Sequence, residues 1–255
     1  MRRAEPSQLI ARSGAYGVTS QSLIALSQRA IAGWDGQLVP QVTAWHHTDD
    51  VQLIQQYQHL AALHPEAGHG YWALRCWALL IWQPVTLAVL AATQLDSPLD
   101  CRELGLHLGE NQLPCGYRLT PGAVCSQDCR SLQASANKLR EQAGQLAERL
   151  GQLIRLSPTA AERLMADYAL SALISCQQRM PGLSCEATLQ LAEDWLSALH
   201  LTGTSRLQQI EDATSGESRL LLERRGCCLQ FRCKDGLYCE SCPRRKKASF
   251  ETALN

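Results

Sequence analysis

With 255 residues, 45% of them hydrophobic, the chain has enough apolar side chain for a sizeable core. Lysine plus arginine balance aspartate plus glutamate at 24 each, which excludes intrinsic disorder by charge and a globally basic polyanion binder. The charge is nonetheless uneven. Between Arg224 and Lys247 stand Arg224, Arg225, Arg232, Lys234, Arg244, Arg245, Lys246 and Lys247 against only Asp235 and Glu240, a local surplus of +6 that attracts anionic partners.

In chain order, "MRRAEPSQLIARSGAYG" is basic but has no apolar stretch of signal-peptide length, which predicts that the chain is not secreted. Helical spacing of apolar residues predicts a helix from about Ser20 to Ala32, stopped at Gly33. "TDDVQLIQQYQHLAALHP" predicts a second, with Thr48 as N-cap, acids in the first turn and an end at His64-Pro65. A long apolar segment from Tyr71 to about Thr93 follows, and Pro84 is expected to kink or divide it. Its stretch from Trp77 to Ala92 is short for a membrane span and is interrupted by Gln83 and Pro84, so it reads as a buried core helix without stable membrane insertion. Alternation at Leu104, Leu106 and Leu108, then at Tyr117 and Leu119, around Gly109-Glu110-Asn111 predicts a small β-hairpin. Helices are expected again over about Asp128–Leu156, from the Ser157 cap and Pro158 to Met180, and from Ser184 to about His200. "DATSGES", Asp212 to Ser218, reads as a linker.

The expected fold class is therefore mainly α (α+β). A helical body, residues 1–211 with a β insert at about 104–119, is joined to a compact C-terminal module, residues 212–255. That module holds "GCCLQFRCKDGLYCESCP", with five of the chain's 12 cysteines. Cys227 and Cys228 are followed after ten residues by Cys239 and two residues later by Cys242. A C-x2-C bend lets two thiolates reach one metal from the same side. Adjacent cysteines converge only where the backbone turns, and Gly226 is placed to allow it. A two-iron centre eases that demand by dividing the ligands between metals. On spacing alone three readings stay open: a four-cysteine iron–sulfur centre, a structural zinc site, or disulfides and free thiols.

"RRGCCLQFRCKDGLYCESCP" resembles the C-terminal CC-x10-C-x2-C signature of the FhuF-type ferric-siderophore reductases. Fainter similarity extends to "YWALRCWALLIWQPVTLAVL" and "LGLHLGENQLPCGYRLTPG". The resemblance implies a 2Fe–2S cluster on Cys227, Cys228, Cys239 and Cys242. It also implies one-electron reduction of a cytoplasmic ferric siderophore, transiently at the inner face of the membrane, with release of ferrous iron. Cys233, inside the ten-residue interval, departs from the pattern and reads as a packed non-ligand, with replacement of a neighbouring ligand or oxidation to a disulfide as the alternatives. No G-x-G-x-x-G follows a strand, so an external electron donor is expected, such as a small acidic redox protein docking on the basic module. The alternative is a zinc-stabilised binding or regulatory module without redox activity.

Other features read more plainly. Cys115, Cys125 and Cys129 lack an obvious fourth ligand, and Cys76, Cys101, Cys176 and Cys185 are scattered. His46, His47, Asp49 and Asp50 suit a polar helix start, and Trp72, Trp77 and Trp82 suit packing within the body. Arg75, set among aromatics, either faces an anionic chelate or keeps its head in water. The basic run is short, few aromatics interleave with it and no recognition helix accompanies it, so no nucleic-acid partner is expected.

Overall fold

A computed structural model describes residues 19–124, 131–180, 182–211 and 218–245. Cys125, Cys129, Lys246, Lys247 and most of the expected linker lie outside the described residues. The class is mainly α with small sheets.

Six α-helices run through the described residues: α1 (Ser20–Ala30), α2 (Asp50–Leu63), α3 (His69–Gln94), α4 (Ser131–Ile154), α5 (Pro158–Arg179) and α6 (Cys185–Ala198). Their starts follow local chemistry. The Ser157 and Ser184 hydroxyls accept from the N–H groups of Ala160 and Ala187, and Pro158 occupies the first turn of α5. For α2 the cap is Asp49 rather than Thr48. The Asp49 carboxylate accepts from Val51 N–H, whereas the Thr48 hydroxyl donates back to Trp45 O at 2.8 Å and closes a preceding 3-10 turn.

α3 is the central post, packed by α1, α2, α4 and α5. It runs unbroken through Pro84. A proline inside a helix costs about 3 kcal/mol. Leu80, Ile81, Val85, Leu87, Ala88, Val89 and Leu90 all lie at 0% exposure, and burial of side chains on both sides of the proline outweighs that cost. By length and composition α3 could cross a membrane, yet 78% of its most apolar stretch is buried inside the fold. Trp77 Nε1 donates to Ala161 O of α5 at 3.0 Å, and Trp82 stacks on Trp34 at 4.9 Å. These rings pack the body, as expected.

The hairpin forms β2 (Leu104–Leu108) and β3 (Pro114–Leu119), paired antiparallel. The short strand β1 (Asp35–Leu38), not anticipated, adds to β3 in parallel. Its four residues, Asp-Gly-Gln-Leu, carry no apolar alternation to announce it. Close approach makes the pairing possible: a Cβ at Gly36 would fall 2.4 Å from the Tyr117 ring, and one at Gly116 would fall 2.5 Å from Asp35 O. A second hairpin, β4 (Ser205–Glu211) with β5 (Ser218–Arg224), pairs in full register from Ser205–Arg224 to Glu211–Ser218 and packs on α5 and α6. Leu207 and Leu220 enter the common core. The segment read as a linker thus connects two paired strands, and β5 carries the cysteines directly off the body.

Candidate metal centre

The chain leaves β5 at Arg224 and enters Gly226-Cys227-Cys228. Gly226 serves close packing: its Cβ would lie 2.9 Å from Arg163 Cβ on α5. The chain bends at Arg225 and Gly226, as expected, and turns again at Leu229, whose φ of 62° is left-handed. A 3-10 turn at Gln230–Arg232 follows. The loop then folds on itself through Cys233 N–H to Gln230 O at 3.1 Å and Gly236 N–H to Cys233 O at 2.8 Å. A Cβ at Gly236 would stand 1.9 Å from Gln230 O, so only glycine fits. This compact loop brings Cys239 and Cys242 back to the adjacent pair.

All four motif cysteines meet there. Cys227 Sγ lies 3.8 Å from Cys242 Sγ, and Cys228 and Cys239 are near enough to influence the ionisation of their neighbours. Metal–thiolate bonds of about 2.3 Å in a tetrahedron set sulfur atoms about 3.8 Å apart. The Cys227–Cys242 pair matches that spacing. Among the described residues, however, no three of the four thiols come within 4.8 Å of one another. A mononuclear tetrahedral site needs all four mutually close. Two metals sharing four thiolates divide the ligands and do not need all four sulfurs mutually close.

The surroundings act on each thiol differently. Burial pushes Cys227 up, against the pull of the Leu229 N–H on its sulfur at 3.4 Å. Burial likewise pushes Cys239 to about 11, although Arg224 Nη1 approaches its sulfur at 3.4 Å. Burial also opposes the Cys242 thiolate, but N–H groups of Arg244 and Arg245 and the neighbouring thiols overcome it, and its pKa falls below the ordinary thiol value. Burial thus makes the Cys227 and Cys239 thiolates costly to form without a neighbouring positive charge.

Arg224 is itself held from the body. Its Nε donates to Asp167 Oδ2 at 2.6 Å, and Ser205 Oγ donates to Asp167 Oδ1 at 2.6 Å. Asp167 on α5 is 3% exposed. Sequence reasoning passed over Asp167, Ser205 and Leu229. For Asp167 a signal existed: it is the one acid in the apolar run "LMADYALSALI".

Cys233 is buried but apart from the quartet, against Tyr71 and Ala67. Its sulfur accepts from Gln230 Nε2 at 3.7 Å, while Tyr71 Oη donates to Gln230 Oε1 at 3.1 Å. His64, Glu66 and Cys233 place ligand atoms within 4.8 Å of one another, but Glu66 already accepts the Lys234 N–H at 2.7 Å and pins the loop to the end of α2. Cys76, Cys101 and Cys176 are core side chains, and burial pushes each to about 12. Cys115 is exposed on β3. Among the described residues His46 and His47 join no group of three potential metal ligands, while Asp49 caps α2 and Asp50 pairs with Arg149.

No protein-family model matches this chain, and no solved structure matches it either.

Proposed function

We propose that this protein is a ferric-siderophore reductase of the FhuF type, in which Cys227, Cys228, Cys239 and Cys242 hold a 2Fe–2S cluster. The observation that carries the reading is that the loop brings the four thiols of the motif together, with the Cys227 and Cys242 sulfurs 3.8 Å apart. The chemistry such a cluster supplies when bound is a one-electron transfer that turns the Fe(III) of a hard-oxygen chelate into Fe(II), which those oxygens hold far less tightly.

The chain's own residues hold, bias and expose the centre. Arg224 and the N–H groups of Leu229, Arg244 and Arg245 favour negative charge on sulfur. Cys227, Cys228 and Cys239 are only half-buried, so partners can come close. The exposed Arg232, Arg244 and Arg245, with Arg244 over the Phe231 ring at 5.4 Å, form a cationic face suited to an acidic electron donor. The reading places the protein in the cytoplasm, in iron assimilation.

Anaerobic purification tests it. A red-brown protein with two irons and two acid-labile sulfides per chain, an electron paramagnetic resonance signal after dithionite, and Fe(II) trapped by a ferrous chelator on mixing with a ferric siderophore is the expected result. A colourless zinc protein would overturn it in favour of a structural module.

A further inference from the structure

The fifth thiol of the module has surroundings of its own. Cys233 is 6% exposed and packs with Ala67 and Tyr71, where the cysteine loop crosses the connection between α2 and α3. There its sulfur, a ring nitrogen of His64 and a carboxylate oxygen of Glu66 lie within 4.8 Å of one another. His64 Nδ1 and Glu66 Oε1 are 3.8 Å apart. One thiol, one imidazole and one carboxylate thus converge from two chain segments far apart in sequence. A cysteine that only fills space needs neither a histidine nor an acid beside it.

Each of the three is also held from behind. Gln230 Nε2 donates to the Cys233 sulfur at 3.7 Å, and Tyr71 Oη fixes Gln230 by donating to its Oε1 at 3.1 Å. Lys234 N–H donates to Glu66 Oε1 at 2.7 Å, which leaves the second carboxylate oxygen to accept elsewhere. His64 ends α2, Trp72 Nε1 donates to its carbonyl at 2.8 Å, and the Tyr71 ring packs T-shaped against its imidazole at 5.7 Å. Supporting contacts of this kind orient the ligands of metal sites.

We propose that Cys233, His64 and Glu66 form a second metal site, separate from the four-cysteine centre, which takes a divalent ion of the zinc class and clasps the cysteine loop to the end of α2. Sulfur, nitrogen and oxygen together suit the borderline softness of zinc, and three protein ligands leave its fourth tetrahedral position to water. The thiol proton leaves to solvent as the ion binds, and thiolate plus carboxylate then balance its two charges. A tetrahedral ion holds such ligand atoms about 3.3 to 3.8 Å apart. The His64 and Glu66 side chains are 36% and 38% exposed, so rotation of either can close the remaining gap.

Anaerobically purified protein, its four-cysteine centre filled, is titrated with zinc by calorimetry, and zinc-edge X-ray absorption is recorded against the untitrated sample. One added zinc should bind per chain, with a single sulfur neighbour among nitrogen and oxygen. Cys233→Ala, His64→Ala and Glu66→Gln should each weaken it roughly ten-fold or more, and Cys233→Ala should remove the sulfur neighbour. His59→Ala, on the same helix but outside the cluster, should leave the affinity unchanged. Zinc should also slow tryptic cleavage after the exposed Arg232 and Lys234, which flank Cys233, in the parent and not in Cys233→Ala.

An affinity that ignores both Cys233→Ala and His64→Ala, or an added zinc without a sulfur neighbour, overturns the site. Loss of iron and sulfide in Cys233→Ala would place Cys233 in the four-cysteine centre and overturn it as well. The inference stands apart from the reductase reading, because none of its ligands is among Cys227, Cys228, Cys239 and Cys242.

Discussion

Arg224 ties Asp167 to Cys239: its Nε donates to the carboxylate at 2.6 Å, and its Nη1 lies 3.4 Å from the sulfur. The guanidinium is 11% exposed and the carboxylate 4%, so the pair sits in low dielectric. Burial opposes the charge on Arg224, but Asp167 and the neighbouring thiols hold its pKa above the ordinary arginine value. Burial also pushes Asp167 up, and Arg224 and the Ser205 hydroxyl pull it back.

Removing one partner of such a pair strands the other. Asp167→Asn should destabilise the protein by roughly 3 kcal/mol in chemical unfolding. A double Asp167→Leu, Arg224→Met variant should recover most of that stability, since an apolar pair of similar volume replaces the ions. It should still shift the reduction potential of the loaded centre downward, because a positive charge beside Cys239 is lost. A recovered variant with an unchanged potential would mean that Arg224 serves packing alone.

The division between Cys233 and the quartet gives a second expectation. Serine at Cys227, Cys228, Cys239 or Cys242 should abolish or halve iron and sulfide content. Cys233→Ala should leave content and spectrum intact while costing about 1 kcal/mol of stability through a small cavity against Tyr71. Metal analysis of the five variants, side by side, decides it.

Gly236 offers a test of the loop itself. Its missing Cβ is what lets the chain pass Gln230 O, at a distance of 1.9 Å from the Cβ position. Gly236→Ala should therefore open the loop that returns Cys239 and Cys242 to Cys227 and Cys228. The expected outcome is a folded helical body by circular dichroism with poor metal retention. Full retention would show that the loop tolerates a shift there.

His46 sets a pH dependence remote from the thiols. It is buried beside His47 and Arg149, and burial, then those two charges, lower its pKa from 6.5 to about 4. As pH falls from 6.5 towards 4 the unfolded chain takes up a proton that the folded imidazole refuses. Stability is therefore lost across that window and levels off below it. The loss is on the order of 3 kcal/mol. His46→Gln should flatten this limb in unfolding titrations, and an unchanged slope would refute the assignment.

How much of this was legible beforehand varies by element. The serine caps at Ser157 and Ser184 and the alternation of β2 and β3 are local signals, and local chemistry realised them. Thr48 misled because Asp49 stands next to it with a shorter, charged acceptor. Pro84 misled because its cost is local, while the burial that offsets it comes from four other helices. Strands β1 and β4–β5 are held by pairing partners distant in the chain or by burial against α5 and α6, and neither leaves a periodic trace in the strand itself.

The amino-acid order by itself determined the helices, the serine caps at Ser157 and Ser184, the hairpin strand at Tyr117 and the presence of four suitably spaced thiols, since each depends on neighbours within a turn or two. The tertiary structure alone decided that Cys227 and Cys242 approach each other and that Asp167 grips Arg224 across 57 positions. Those outcomes come from chain segments brought together by burial of α3 among its neighbours, and distance in space is not encoded by spacing in sequence.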